Sequence, residues 1–465
     1  MGLLVAAALG VPAGAAAAPT WDYGVTIDTA TGRAEVEVTM SDLAAPLTLC
    51  SGMDRSRPSI SHLVEFVGGE ERAIAADPED DDCFVALPAA AGARRFHYRL
   101  DLADLAARTH DPDRCSRHGD DYVLNDQAIL LRPEPAPDDV QITVTFHLPE
   151  GVQVAAPWQA LPGPLPRFRY DAAQLDAGAY VAVGKLHPVG ELSIGGGTVR
   201  VTTLDLPRRA TDAGLLAWVR GAVTIAADFV GKLPGGRVHV VLIPIAGAAD
   251  PGVFGTILRR ALPSVVLLFS AEAEDARFTG EWLAVHELFH LTNPRIAGRI
   301  PWFIEGFTTY YQDVVRARRK LRDPLVMWGD LHDTFTRGCS PIAGRSLHDE
   351  SDNIRTWGHY LRIYGGGACL AFRLDVAIRR RTKNRRSLDD VMVGLWRTGR
   401  AYGEPELVRL LDAEAGSHLV RDHLRSRKRI DWEALEKPLG IEPTGPDSVR
   451  LRDDAPEAGI RRGIF

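Results

Sequence analysis

The chain has 465 residues, of which 45% are hydrophobic and 25% charged, with a formal net charge of −7. That is enough length for two or three domains, and the composition is ordinary for globular protein. An acidic balance excludes nucleic acid as a partner, which would call for a basic surface.

At the N-terminus a short apolar run, Leu3–Gly10, is followed by Ala15–Ala18 and then Pro19-Thr20-Trp21. Small residues after an apolar stretch read as a signal peptide over residues 1–18, cleaved after Ala18, although no Lys or Arg precedes the run. The expectation is an exported protein, periplasmic or secreted. The run is too short to anchor in a bilayer, and no later segment is expected to cross one.

Residues 19–206 read as strands. Tyr23–Asp28 and Ala34–Thr39 alternate around the turn residues Thr29–Gly32, and Val140–Phe146 and Thr198–Thr202 follow the same period. Asp77–Asp82 and Arg132–Pro137 read as loops. The expectation is a β-sandwich-like domain without a catalytic constellation, its His97, His110 and His118 being surface or core residues. Five cysteines lack C-x-x-C spacing, which excludes a cysteine zinc site. In an exported chain, at least one disulfide is expected among Cys50, Cys83 and Cys115, with the pairing open. Cys369 reads as a small buried hydrophobe.

Near Asp212 the period becomes helical, with Leu215, Leu216, Val219, Val223 and Ala226 on one face. Two apolar strands follow, Val238–Pro244 and Ser264–Ser270, the second expected at a sheet edge where an extended substrate could pair. A helix is predicted from Gly280 to about Leu291, stopped by Asn293-Pro294, and another from Pro301. From about residue 354 the chain reads helical, through Leu388–Trp396, Glu406–Leu411 and His418–Leu424. The basic clusters Arg316–Lys320 and Arg379–Arg381 read as solvated helix ends. Residues 207–325 and 326–440 form two lobes, and 441–465 a tail.

The most specific signal lies in the first of these lobes. His286-Glu287-Leu288-Phe289-His290 reads H-E-x-x-H, and Glu305 follows His290 by fifteen positions in a second helical run. Residues four apart share a helix face, so His286 and His290 can bind one metal ion. A catalytic zinc takes three protein ligands and keeps one position for water, which makes Glu305 the natural third ligand. Glu287 is placed to act as general base. The aromatic run Trp302, Phe303, Phe307, Tyr310 and Tyr311 reads as core behind the site.

At these residues the chain resembles the gluzincin metallopeptidases, and most closely the glycyl aminopeptidase family. That family pairs H-E-x-x-H with W-x-x-E-G-F-T-x-Y-Y, matched here by Trp302, Glu305, Gly306, Phe307, Thr308, Tyr310 and Tyr311, and places an Asn at the position of Asn293. The resemblance runs from about residue 200 to 440 and implies a multidomain α+β protein: an N-terminal β-sandwich-like domain, then a thermolysin-like zinc catalytic domain with a helical lobe. It also implies one zinc ion per chain and a peptide or protein substrate. A further Y-x-K-G-A element is matched at Tyr364, with Gly366 in the lysine's place. Two departures stand out. The family's upstream strand carries an acid that binds a free amino terminus, whereas Gly255–Arg260 has none, leaving Glu272 or Glu274 to fill the position from elsewhere. No PDZ domain is expected after Gly440.

The expected chemistry is zinc-assisted peptide hydrolysis with Glu287 as base and a tyrosine donating to the oxyanion: Tyr364 by the motif, or Tyr360 one turn earlier. Thr309, four residues after Glu305, is expected to support a ligand. The alternatives are a zinc hydrolase acting on a non-peptide substrate, and a zinc-binding protein without catalysis, against which the intact Glu287 argues.

Overall fold

The computed structural model describes residues 18–465 apart from Asp42, 44–46, 54–55, Ala86, 89–91 and 110–111. The leader expected at residues 1–18 therefore lies outside the described residues except for Ala18, and so does His110. The chain divides into two compact units, one ending at residue 178 and the other running from 179 to 465, with 155–157 assigned to the second.

The first unit is built on an eight-stranded sheet in the order Gln159–Leu161, Arg167–Asp171, Gln141–His147, Thr20–Asp28, Arg33–Met40, Arg94–Asp101, Ile60–Val67, Glu70–Ala73. Period-two alternation dictates its buried face: Trp21, Tyr23, Val25 and Ile27 are buried, and the residues between them face outward. The Asp28 carboxylate accepts from the backbone of Ala30 and Thr31, and Gly32 takes φ 69°, which closes the first hairpin. Arg132–Glu134 is not simply loop but pairs with Thr48–Cys50. Cys50 and Cys83 form a disulfide, leaving Cys115 a buried free thiol. His97 lies 3.9 Å from Glu35, and His118 meets Ser116.

The second unit starts earlier than its expected boundary near 206. Leu186–Ile194 and Gly197–Leu204 are hydrogen-bonded into its five-stranded sheet, whose order continues Arg237–Ile245, Ser264–Ser270, Gly252–Leu258. Alternating strands look alike in both units, so only their partners reveal where they belong. The sheet edge also differs. Ser264–Ser270 is interior, parallel to Arg237–Ile245 on one side and antiparallel to Gly252–Leu258 on the other. The edge strand is Gly252–Leu258.

Helix Asp212–Val230 is apolar and long enough to cross a membrane by length and composition, which departs from the expectation of no such segment. Its buried residues include Leu215, Trp218, Val219 and Val223, packed in the unit's core, so burial against the sheet accounts for the composition. Residues 441–465 are not a tail. They form the hairpin Ile441–Gly445/Ser448–Leu451 and helix Ala458–Ile464, with Ile441 and Ile464 buried.

Three helices frame the site: Pro301–Arg318, Pro324–Gly338 and Tyr360–Thr382. The last crosses the other two at backbone contact. A Cβ at Gly306 would overlap Gly367, meeting its carbonyl carbon at 2.7 Å, and one at Gly365 would lie 3.0 Å from Gly338 Cα. The run Gly365-Gly366-Gly367 is thus required by close helix approach. Cys369 is not a lone hydrophobe: it forms a disulfide with Cys339 just after helix Pro324–Gly338. The basic clusters do close helices, but Arg316 and Arg379 are buried and paired with Asp313 and Asp375 rather than solvated. Trp302, Phe303, Phe307, Tyr310 and Tyr311 are all buried core.

Candidate metal centre

Helix Leu283–Phe289 is buried along its whole length. Its first turn is held by the Glu281 carboxylate, which accepts from Leu283 N at 2.8 Å and from Trp218 Nε1 at 3.1 Å. A capping carboxylate satisfies amides that burial would otherwise orphan. The helix continues as a single tight turn, His290–Thr292, before Asn293 turns extended ahead of Pro294.

His286 and His290 face Glu305 of helix Pro301–Arg318. Their Nε2 atoms lie 3.5 Å and 3.4 Å from Glu305 Oε2, and the three ligand atoms all fall within 4.8 Å of one another. The outer nitrogens test whether the set suits a cation. Gln312 Oε1 lies 2.7 Å from His286 Nδ1. An amide oxygen only accepts, so Nδ1 carries the proton and Nε2 presents its lone pair inward. Thr308 gives its hydroxyl proton to Ile304 O and can accept from His290 Nδ1 at 3.2 Å. Asn293 Oδ1, buried without a hydrogen-bond partner, becomes a second acceptor for His290 Nδ1 once its amide is turned over. The donor set fits zinc, two imidazoles and a carboxylate with outer partners fixing both tautomers.

The electrostatics agree. Burial works against ionisation of Glu305, but the two imidazoles hold its carboxyl well below the usual range. His286 is raised despite burial, because Glu305 and Glu287 favour its cation, while burial dominates at His290 and lowers it. Two rings competing over one carboxylate mark a place where a cation belongs. Glu287 is itself buried, and Gly255 of the edge strand backs onto it: a Cβ there would stand 2.9 Å from Glu287 Cδ and Oε1.

Tyr364 completes the site. Its ring stacks on His286 at 6.0 Å with planes 4° apart, and its hydroxyl interacts with Glu305. Burial, then Glu305 and Glu287, push that phenol far above its ordinary range, so it remains a proton donor. Tyr360, the rival, is 51% exposed.

The sequence matches no family model and no curated protein. The fold has solved counterparts. An aminopeptidase N family protein from Idiomarina loihiensis gives a TM-score of 0.75 at 17% identity, covering 94% of this chain and 82% of its own. An M1 zinc metallopeptidase from Deinococcus radiodurans gives 0.56 at 16% identity, covering 88% and 94%. A variant of the Deinococcus metallopeptidase bound to the substrate Tyr-Ser-Ala gives 0.55 at 15%, with the same coverages. The chain has an M1 peptidase-like fold.

Within that fold the structure brings together every predicted site residue: His286, Glu287, His290, Glu305 and Tyr364. Thr309 is the exception. Its hydroxyl bonds the Glu305 backbone carbonyl at 2.8 Å and supports no ligand side chain, a turn-internal bond that any helical Thr can make. The supports are Thr308, Asn293 and Gln312. Gln312 was legible in principle, because it lies seven residues, two helical turns, beyond Glu305 on the same face. The acids that could have replaced the missing one are engaged elsewhere: Glu272 accepts from Gly247 N, and Glu274 pairs with Arg209. Arg259 instead reaches this region. Its Nη1 donates to Asn293 O at 3.0 Å and Pro294 O at 3.2 Å, directly after His290. Burial and the neighbouring Arg260 lower it to about 10, which leaves it charged at neutral pH.

Proposed function

We propose that the chain is a zinc-dependent peptidase that holds one ion through His286, His290 and Glu305. The observation that carries this reading is the convergence of three oriented donor atoms with a buried glutamate and a neutral tyrosine in one site. When bound, zinc acidifies water toward a pKa of about 7 and polarises a carbonyl. Glu287 takes the proton of the attacking water and passes it to the departing amine. Tyr364 donates a hydrogen bond to the oxygen that gains charge. The edge strand Gly252–Leu258 offers backbone groups along which an extended peptide can align.

Binding of Tyr-Ser-Ala by the Deinococcus metallopeptidase supports a peptide substrate. The segment Trp302–Tyr311 supports a kinship with the glycyl aminopeptidase family within this fold. Two disulfides, Cys50–Cys83 and Cys339–Cys369, suit an oxidising compartment and support export.

The test pairs metal analysis with turnover on a peptide library. Glu305→Ala and His290→Ala should lose zinc and activity together, whereas Glu287→Gln should keep zinc and lose nearly all turnover. Full zinc occupancy in Glu305→Ala, or near-normal turnover in Glu287→Gln, refutes the assignment.

A further inference from the structure

Beside the metal centre, one residue past the edge strand Gly252–Leu258, the second unit presents a guanidinium. We infer that Arg259 is a specificity residue that receives a carboxylate of the substrate near the scissile bond. This rests on the peptidase reading above.

Four observations converge. Arg259 follows the edge strand whose Gly255 backs onto Glu287, so it continues the wall of the site. Its guanidinium is fixed from one side only, through Nη1 to the carbonyls of Asn293 and Pro294. That anchoring keeps the side chain within electrostatic range of Glu305 and His290 and leaves the rest of the donor fork for a ligand. Finally, no carboxylate among the described residues forms an ion pair with it. The acid whose field reaches it is Glu305, a proposed metal ligand. A guanidinium that stays charged beside the site repels an ammonium and attracts an anion.

The guanidinium fork suits a planar carboxylate in bidentate geometry, which a lysine would not reproduce. Trp282, 43% exposed with its ring 5.9 Å from that of His286, and exposed Phe254 on the edge strand add apolar surface nearby. The ligand chemistry is therefore a carboxylate on a partly apolar peptide, from an Asp or Glu side chain or from the peptide's own C-terminus.

Zinc-loaded Glu287→Gln protein, in which binding is separated from hydrolysis, provides the test by calorimetry. One series of hexapeptides carries Glu or Gln at each position in turn, and a second compares free and amidated C-termini. Glu should bind about tenfold to a hundredfold tighter than Gln at one position, or the free C-terminus tighter than the amide by as much. Adding Arg259→Gln should reduce that ratio to within about twofold. Arg259→Lys, which keeps the charge and loses the fork, should retain part of the preference and show whether the fold tolerates change there. An anionic preference that survives Arg259→Gln, or none in either protein, overturns the inference. Failure of every peptide to bind would instead count against the peptidase reading itself.

Discussion

Substituting Gly255 by Ala isolates the placement of the proposed base. Gly255 does not lie in the left-handed region, so alanine fits its backbone without strain. Space is the constraint. The added Cβ would stand 2.9 Å from Glu287 Cδ and Oε1 and nearer still to Cγ. Carbon atoms rest about 3.5–4.0 Å apart, so the glutamate must retreat by about 1 Å. Reacting groups misplaced by that distance lose up to about a hundredfold in rate, or about 2.7 kcal/mol of transition-state stabilisation. Overpacking costs about 1–3 kcal/mol of stability, partly offset by the stiffer unfolded chain, so the protein should still fold. The ligands are held by Gln312 and Thr308 on another helix, and zinc should stay bound. The assay measures zinc by mass spectrometry, Tm by calorimetry, and kcat and KM on one peptide. Full zinc, a small Tm change and kcat lower by about a hundredfold are expected. A kcat within about threefold of wild type, with zinc retained, would show that Glu287 is not positioned by this contact.

Tyr364→Phe should keep zinc and lose about a hundredfold in kcat, the usual effect of one lost oxyanion donor, whereas exposed Tyr360→Phe should stay near wild type; the reverse pattern would transfer the role to Tyr360. Thiol titration checks the cysteines: burial pushes the Cys115 thiol up to about 12, so the native protein should not react. After unfolding without reductant one thiol per chain should appear, and three would mean that one of the two disulfides is not formed.

The candidate metal ligands His286 and His290 were legible because helical spacing fixes which side chains share a face, and H-E-x-x-H carries that geometry in five residues. Strands such as Thr20–Asp28 were legible because their buried face repeats every second residue. The edge strand Gly252–Leu258 was not. Its burial does not alternate: only Gly252 is buried, and Gly255–Leu258 are all half-buried whichever face they lie on. The boundary was misplaced because nothing local in Gly197–Leu204 says that its neighbour is Arg237–Ile245. The Cys339–Cys369 bridge was hidden for a related reason: it joins positions 30 residues apart whose proximity is set by how two helices cross.

That crossing also explains one difference between this site and the motif pattern it resembles. Glu305 precedes Gly306, and Tyr364 stands one turn before Gly367 and Ala368. The contact between Gly306 and Gly367 therefore fixes the distance between the proposed metal ligand Glu305 and the proposed oxyanion donor Tyr364. A side chain at either position would push the helices apart and separate the two groups, whatever the motif residues. Gly366, where the resemblance expects lysine, has no room for one: its Cβ would fall 2.9 Å from Gly338 O, on ground occupied by Arg362, which donates to that carbonyl. The close helix packing and Arg362, one turn earlier, together fill the space a lysine at 366 would need. Tyr364 needs no lysine to stay protonated, because burial and the flanking carboxylates already hold its proton. The same reasoning applies at the edge strand, where absence of a side chain at Gly255 makes room for Glu287 and the arginine after Leu258 sets a positive charge nearby. Backbone proximity places the chemical groups, and the charge beside them selects the substrate.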